Sequence, residues 1–211
     1  MRALVFVSVL LIVALALPRF ISGLAYDTAF PIPAGMAANR IYSKEVYAKT
    51  AAVLALADSD DGETQIARAE AAWRAGAPPH LIQPIIERAL AHSPASIQGW
   101  TLLSEVAQLR DRAKGTAALT ISLELSPYDY WLIGRKSRAG APLWDALSPD
   151  SRDMLLRQAR LLWKNESLRS EIEPLLAVKG GPQLMTRAIA DDEIIRALNR
   201  MVARKRLGLS P

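Results

Sequence analysis

Between positions 126 and 145 the chain gathers residue types that bind rather than react. Tyr128, Tyr130 and Trp131 are followed by Arg135, Lys136 and Arg138, and then by Trp144 and Asp145. Aromatic rings beside guanidinium groups are enriched where proteins meet partners, because they join large, rigid contact area to directed hydrogen bonds. The six residues Tyr128, Tyr130, Trp131, Arg135, Lys136 and Arg138 are therefore the candidate partner-binding set, with residues 135–142 expected as a basic turn. The same set could stack on sugar rings and pair with acidic glycans or peptide carboxylates. A structural use competes with both, since the last repeat of a helical stack must close its core and three aromatics would do so.

Chemistry of the catalytic kind finds no foothold. His80 and His92 are the two histidines, and both fall at the ends of an expected helix, where an imidazole meets free backbone groups. No HExxH, GxSxG, phosphate-loop or dinucleotide glycine pattern occurs. Gly180-Gly181-Pro182 lacks the helix-opening Lys-Ser/Thr of a phosphate cradle and is expected as a break between helices. The acidic residues 58–61 lack the spacing and closing glutamate of a calcium loop, so a solvated turn is expected there. The chain has no cysteine, which excludes disulfides, thiolate metal sites, an acylated cysteine and a cysteine nucleophile together. The expectation is a protein that is not an enzyme and holds neither cofactor nor metal. A glycan-processing role would need Asp129 and Asp145 placed roughly 5–10 Å apart.

The elements that must position these residues are helices. Residues 43–57 are rich in helix formers, with Ser43 as N-cap and Glu45 in the first turn. Residues 63–75 place Ile66, Ala69, Ala72 and Trp73 on one face and stop at Gly76-Ala77-Pro78-Pro79. Residues 80–92 place Ile82, Ile85, Ile86 and Ala89 together, with Pro84 expected to delay or kink the start. Residues 97–109 turn Trp100, Leu103, Val106 and Ala107 inward, and residues 113–125 follow. Ser148-Pro149-Asp150 is a helix start, with Ser as N-cap, Pro at the first helical position and Asp beside the dipole. That helix runs to Trp163, and further helices are expected over 167–176 and 191–205. Trp73, Trp100 and Trp163 read as core packing.

Two of these helices end alike. Residues 89–94, Ala-Leu-Ala-His-Ser-Pro, are echoed by Leu-Glu-Leu-Ser-Pro at 123–127, 33 residues on, and a tryptophan follows each. Paired short helices, a closing proline and a period of about 34 residues resemble tetratricopeptide repeats. Trp100, Leu103, Ala89, Leu90 and Pro94 match that pattern, whereas Ser104 stands for its glycine and Ala107 for its tyrosine. The resemblance covers residues 63–131 and implies an all-α, tetratricopeptide-like solenoid. In such a body neither helix of a pair buries its apolar face alone, and the concave face of the first helices, around Glu70, Arg74 and Glu105, is a second candidate surface. Residues 126–163, with SPYDYW, LWDALSP and RQARLLW, look like the C-terminal part of small membrane-anchored helical-repeat proteins of Gram-negative bacteria. Members of that group are often associated with making or exporting cell-surface polysaccharide.

The start of the chain sets the compartment. Residues 3–17 are apolar apart from Ser8 and carry no charge. A helix of that length reaches about 22 Å, short of the roughly 30 Å hydrocarbon core. That suits a cleaved signal with a cut before Tyr26, while the resumption of apolar residues to Ala25 suits a retained anchor. Either puts the rest of the chain at or across a membrane, and a body outside the cytoplasm is the expected default for so short a leader. Residues 26–42 read as linker, 43–205 as the helical-repeat domain and 206–211 as a tail. The full chain has 51% hydrophobic and 22% charged residues, close to the globular norm once the leader is discounted. The net charge of +5 includes a basic end, Arg196, Arg200, Arg204, Lys205 and Arg206, which is expected as a solvated helix end or a contact with anionic lipid or polysaccharide rather than nucleic acid. The expected function is a non-enzymatic, membrane-anchored periplasmic scaffold that binds envelope proteins of a polysaccharide assembly. The alternative is a carbohydrate-binding or glycan-processing protein that uses residues 128–145.

Overall fold

A computed structural model describes residues 42–56 and 61–189, together with Leu17, Phe20, Leu24 and Ile32. The regular elements among the described residues are all helices, with no strand. The chain divides into two compact units, Met1–Gly99 and Trp100–Pro211. The helix expected over 191–205, the tail and most of the leader lie outside the described residues. Among those that are described, no helix is long and apolar enough to cross a membrane.

The first unit holds α1 (Lys44–Leu56), α2 (Gly62–Ala75) and α3 (Pro79–His92). Ser43 stands at the head of α1 as expected, its hydroxyl accepting from Val46 N at 3.4 Å. Asp58, Ser59 and Asp60 of the acidic run lie outside the described residues. Asp61 has a definite task as the N-cap of α2, taking Thr64 N at 2.8 Å and the Thr64 hydroxyl at 2.5 Å. Gly76 ends α2 with φ of 99°, the left-handed conformation that costs glycine least, and its N–H reaches Trp73 O at 2.9 Å. α3 starts at Pro79 rather than late. Pro84 sits inside it on the exposed side, where the hydrogen bond its missing N–H would have given is lost beside water. Ile66, Ala69, Ile82, Ile86 and Ala89 form the buried faces of the α2–α3 pair. Ile32, inside the stretch read as linker, is helical and packs against Tyr47 and Ala71.

α4 (Ile97–Ala107) carries the boundary between the units. In the second unit α5 (Arg112–Leu125) follows, with Asp111 as N-cap accepting from Lys114 N at 3.0 Å. Buried hydroxyls of Thr101 and Ser122 join α4 to α5 at 2.7 Å. Then come α6 (Ile133–Gly140), a 3-10 turn (Ala141–Ala146), α7 (Pro149–Lys164), a second 3-10 turn (Glu166–Glu171), α8 (Ile172–Ala177) and α9 (Gly181–Ala188). Leu119, Leu123, Ile133, Leu143, Leu155, Leu162, Leu175 and Met185 belong to one core. Ser148 caps α7 as expected, accepting from Ser151 N at 3.1 Å. Where one helix was expected over 167–176, the second 3-10 turn leads into α8. Gly181 and Pro182 open α9 rather than interrupt two helices.

The largest departure is α6. Residues 135–142, expected as a basic turn, are helical, and nearly all of α6 is buried. Its two glycines make this possible. A Cβ on Gly140 would stand 2.6 Å from a Leu155 methyl, and one on Gly134 would collide with the Glu171 carboxylate. Bare backbone at both points lets the core elements close around the helix.

Candidate functional site

The six candidate residues divide into two groups. Tyr128, Tyr130 and Trp131 stand on the connection between α5 and α6 and are 60%, 37% and 59% exposed. Arg135, Lys136 and Arg138 are turned inward on α6. Arg135 forms a bidentate pair with Glu105 of α4, Nε to Oε1 and Nη2 to Oε2, both at 2.7 Å. Arg138 pairs through Nη1 with Glu171 Oε2. Lys136 is fully buried, and its Nζ donates to Ser122 O at 3.0 Å and Ser126 O at 2.7 Å. These cations are structural. They satisfy carboxylates and helix-end carbonyls, so the exposed aromatic-basic turn read from the sequence is instead an aromatic loop over a buried cationic helix.

That loop is held from beneath. Lys136 takes the carbonyl of Ser126, and Gln158 of α7 donates from Nε2 to Pro127 O at 2.7 Å. Asp129 closes the other end: its Oδ1 accepts from Trp131 N at 3.1 Å, and its carbonyl accepts from Leu132 N and Ile133 N at 3.1 and 3.0 Å. The Tyr130 and Trp131 rings meet edge to face with centroids 5.7 Å apart, and the Tyr130 hydroxyl bonds the Ser167 hydroxyl. Burial pushes the Lys136 amine down to about 8 from the ordinary 10.5, with Asp129 opposing the shift. Burial wins because an ammonium without bulk water loses more than one nearby carboxylate returns.

The second candidate surface also turns inward. Glu70 is fully buried and receives Arg74 Nε at 2.9 Å and Gln98 Nε2 at 2.5 Å, while the Arg74 guanidinium lies 6.0 Å from the Tyr47 ring centroid. Glu105 is engaged by Arg135. Both carboxylates are thus committed within the fold. His80 and His92 are exposed in the first and last turns of α3. Among the described residues no three acidic or histidine side chains gather as a metal site would require. Asp145 is exposed on the first 3-10 turn and Asp129 caps the loop.

What this arrangement can do is bury rings. Three large aromatic side chains are displayed on a backbone tied at Ser126 O, Pro127 O, Asp129 O and Trp131 N, so a partner would order little on contact. The signal that could have separated the two groups in the sequence is the pair of glycines flanking the cations. Gly134 and Gly140 mark an element that others approach closely, which an exposed turn would not need. Comparison with protein-family models, with curated proteins and with solved structures finds no match for this chain.

Proposed function

We propose that this chain is a non-enzymatic docking module, and that its binding edge is the aromatic loop of Tyr128, Tyr130 and Trp131. The observation that carries the reading is the exposure of Tyr128 and Trp131, 60% and 59%, on a loop pinned by Lys136, Gln158 and Asp129. Tyrosine and tryptophan contribute most to binding where they are rigid before contact, because few rotamers are then lost. The partner is a protein of the cell envelope. The apolar residues 3–17 support a membrane-proximal body outside the cytoplasm, and the resemblance carried by residues 126–163 supports a place in surface-polysaccharide assembly. Two helix pairs, each closed by Ser-Pro, support the tetratricopeptide-like repeat reading.

The reading is tested with a double variant, Tyr128→Ser with Trp131→Ser, expressed as the full chain and captured from gently solubilised membranes. Neither ring is buried, so the unfolding free energy should hold within the range of ordinary surface changes, about 0.5 kcal/mol. Recovery of the co-purified envelope protein should fall about tenfold or more, the scale of losing two hot-spot aromatics. Undiminished recovery would remove this loop from consideration.

A further inference from the structure

Basic and acidic residues balance within Met1–Gly99, so the whole net charge of +5 lies in Trp100–Pro211. Part of that unit's basic charge is neutralised in place, by Glu105 on Arg135, Glu171 on Arg138 and Asp153 on Arg157. Three further guanidiniums converge on the first 3-10 turn. Arg112 donates from Nη2 to Pro142 O at 3.2 Å. Arg152 donates from Nε to Trp144 O and from Nη2 to Asp145 O, each at 2.9 Å. The Trp144 ring has Arg187 over it at 4.7 Å and Arg152 at 5.8 Å. None of these three arginines forms an ion pair with a carboxylate among the described residues.

Three cations around one six-residue turn repel each other, and the fold holds them there with carbonyl oxygens and an indole ring. Arg187 is exposed, and its contact among the described residues is the ring. A guanidinium stacked on an aromatic face is fixed in orientation yet keeps its fork of N–H donors open, and that fork matches the two oxygens of a carboxylate. We propose that Arg112, Arg152 and Arg187, ordered by Trp144, form a carboxylate-binding site for an acidic peptide segment of a partner protein. This site is separate from the aromatic loop and does not depend on it. With guanidiniums over the Trp144 ring, sugar stacking there is disfavoured. Exposed Asp145 and Asp150 rim the same turn and the start of α7. They would repel a continuous anionic surface such as a membrane, whereas a single Asp or Glu side chain can reach the fork between them.

The test is fluorescence anisotropy of a labelled ten-residue oligoglutamate peptide against the detergent-solubilised full chain, at low and high salt. Saturable binding that weakens steeply with salt is expected. Arg187→Gln should weaken it by about tenfold, since one charge-assisted bidentate contact is lost. Arg157→Gln, which removes an exposed arginine already paired with Asp153, should leave it within about twofold. Phosphatidylglycerol vesicles, polygalacturonate and inorganic phosphate serve as rival ligands. Absence of saturable peptide binding, equal binding by the Arg187→Gln chain, or Arg187-dependent binding of a rival in place of the peptide would each overturn the proposal.

Discussion

Lys136 carries an ammonium group into the core, and the cost of doing so depends on pH. Its folded pKa of about 8 lies below the ordinary 10.5, so between those values the unfolded chain holds the extra proton. Stability must therefore rise as pH is raised through that interval, by up to about 3 kcal/mol. Urea midpoints measured at pH 7.5 and about pH 10 should show this gain in the unaltered chain, and Lys136→Met should largely flatten it. An unchanged slope in Lys136→Met would mean that another group titrates. Arg135 makes the complementary case. Arg135→Ala strips Glu105 of its bidentate partner and should cost about 3 kcal/mol. Arg135→Ala with Glu105→Ala should cost less than the two single changes together, because the orphaned carboxylate is gone. These roles were not legible locally. Glu105 and Glu171 lie 30 and 33 residues from their partners, and a cation's neighbours at that separation are set by packing. Tyr128, Tyr130 and Trp131, by contrast, are exposed.

At the scale of the element, caps decide how much can be read from a stretch of chain. Ser148-Pro149-Asp150 states a helix start in three adjacent residues, and α7 begins there. Asp61 states one too, but it closes an acidic run that reads as a solvated turn, so its part in α2 was missed. Asp61→Ala should cost about 1 kcal/mol, the usual worth of an N-cap. The Thr64 hydroxyl and backbone hold the Asp61 carboxyl below its ordinary range. Its contribution is accordingly present at neutral pH and lost as pH falls through the lowered folded pKa, which acid titration of both chains would show. Helix α6 was illegible for another reason. Arg, Lys, Ser and Gly have the composition of a surface turn, and only the elements around it make it helical. Leu103, read as inward-facing, is buried; Leu103→Ala should cost about 2–5 kcal/mol, and a loss near zero would place that face of α4 outside the core.

At the scale of the whole molecule, period and punctuation carried the fold class, since apolar residues at helical spacing between Gly and Pro breaks require an all-helical body. The surfaces used for binding were less legible because they depend on which charges the fold consumes. Glu70, Arg74, Glu105, Arg135, Lys136 and Arg138 all have side-chain or backbone partners within the fold, whereas Tyr128 and Trp131 of the α5–α6 loop are exposed. The most direct measurement is site-specific photo-crosslinking in intact cells, with a photoreactive phenylalanine analogue placed at position 131 and, separately, at exposed position 157. A discrete adduct with one envelope protein is expected from position 131 and none of that size from position 157. The same adduct from both positions, or none from position 131 while position 157 reacts, would contradict that expectation.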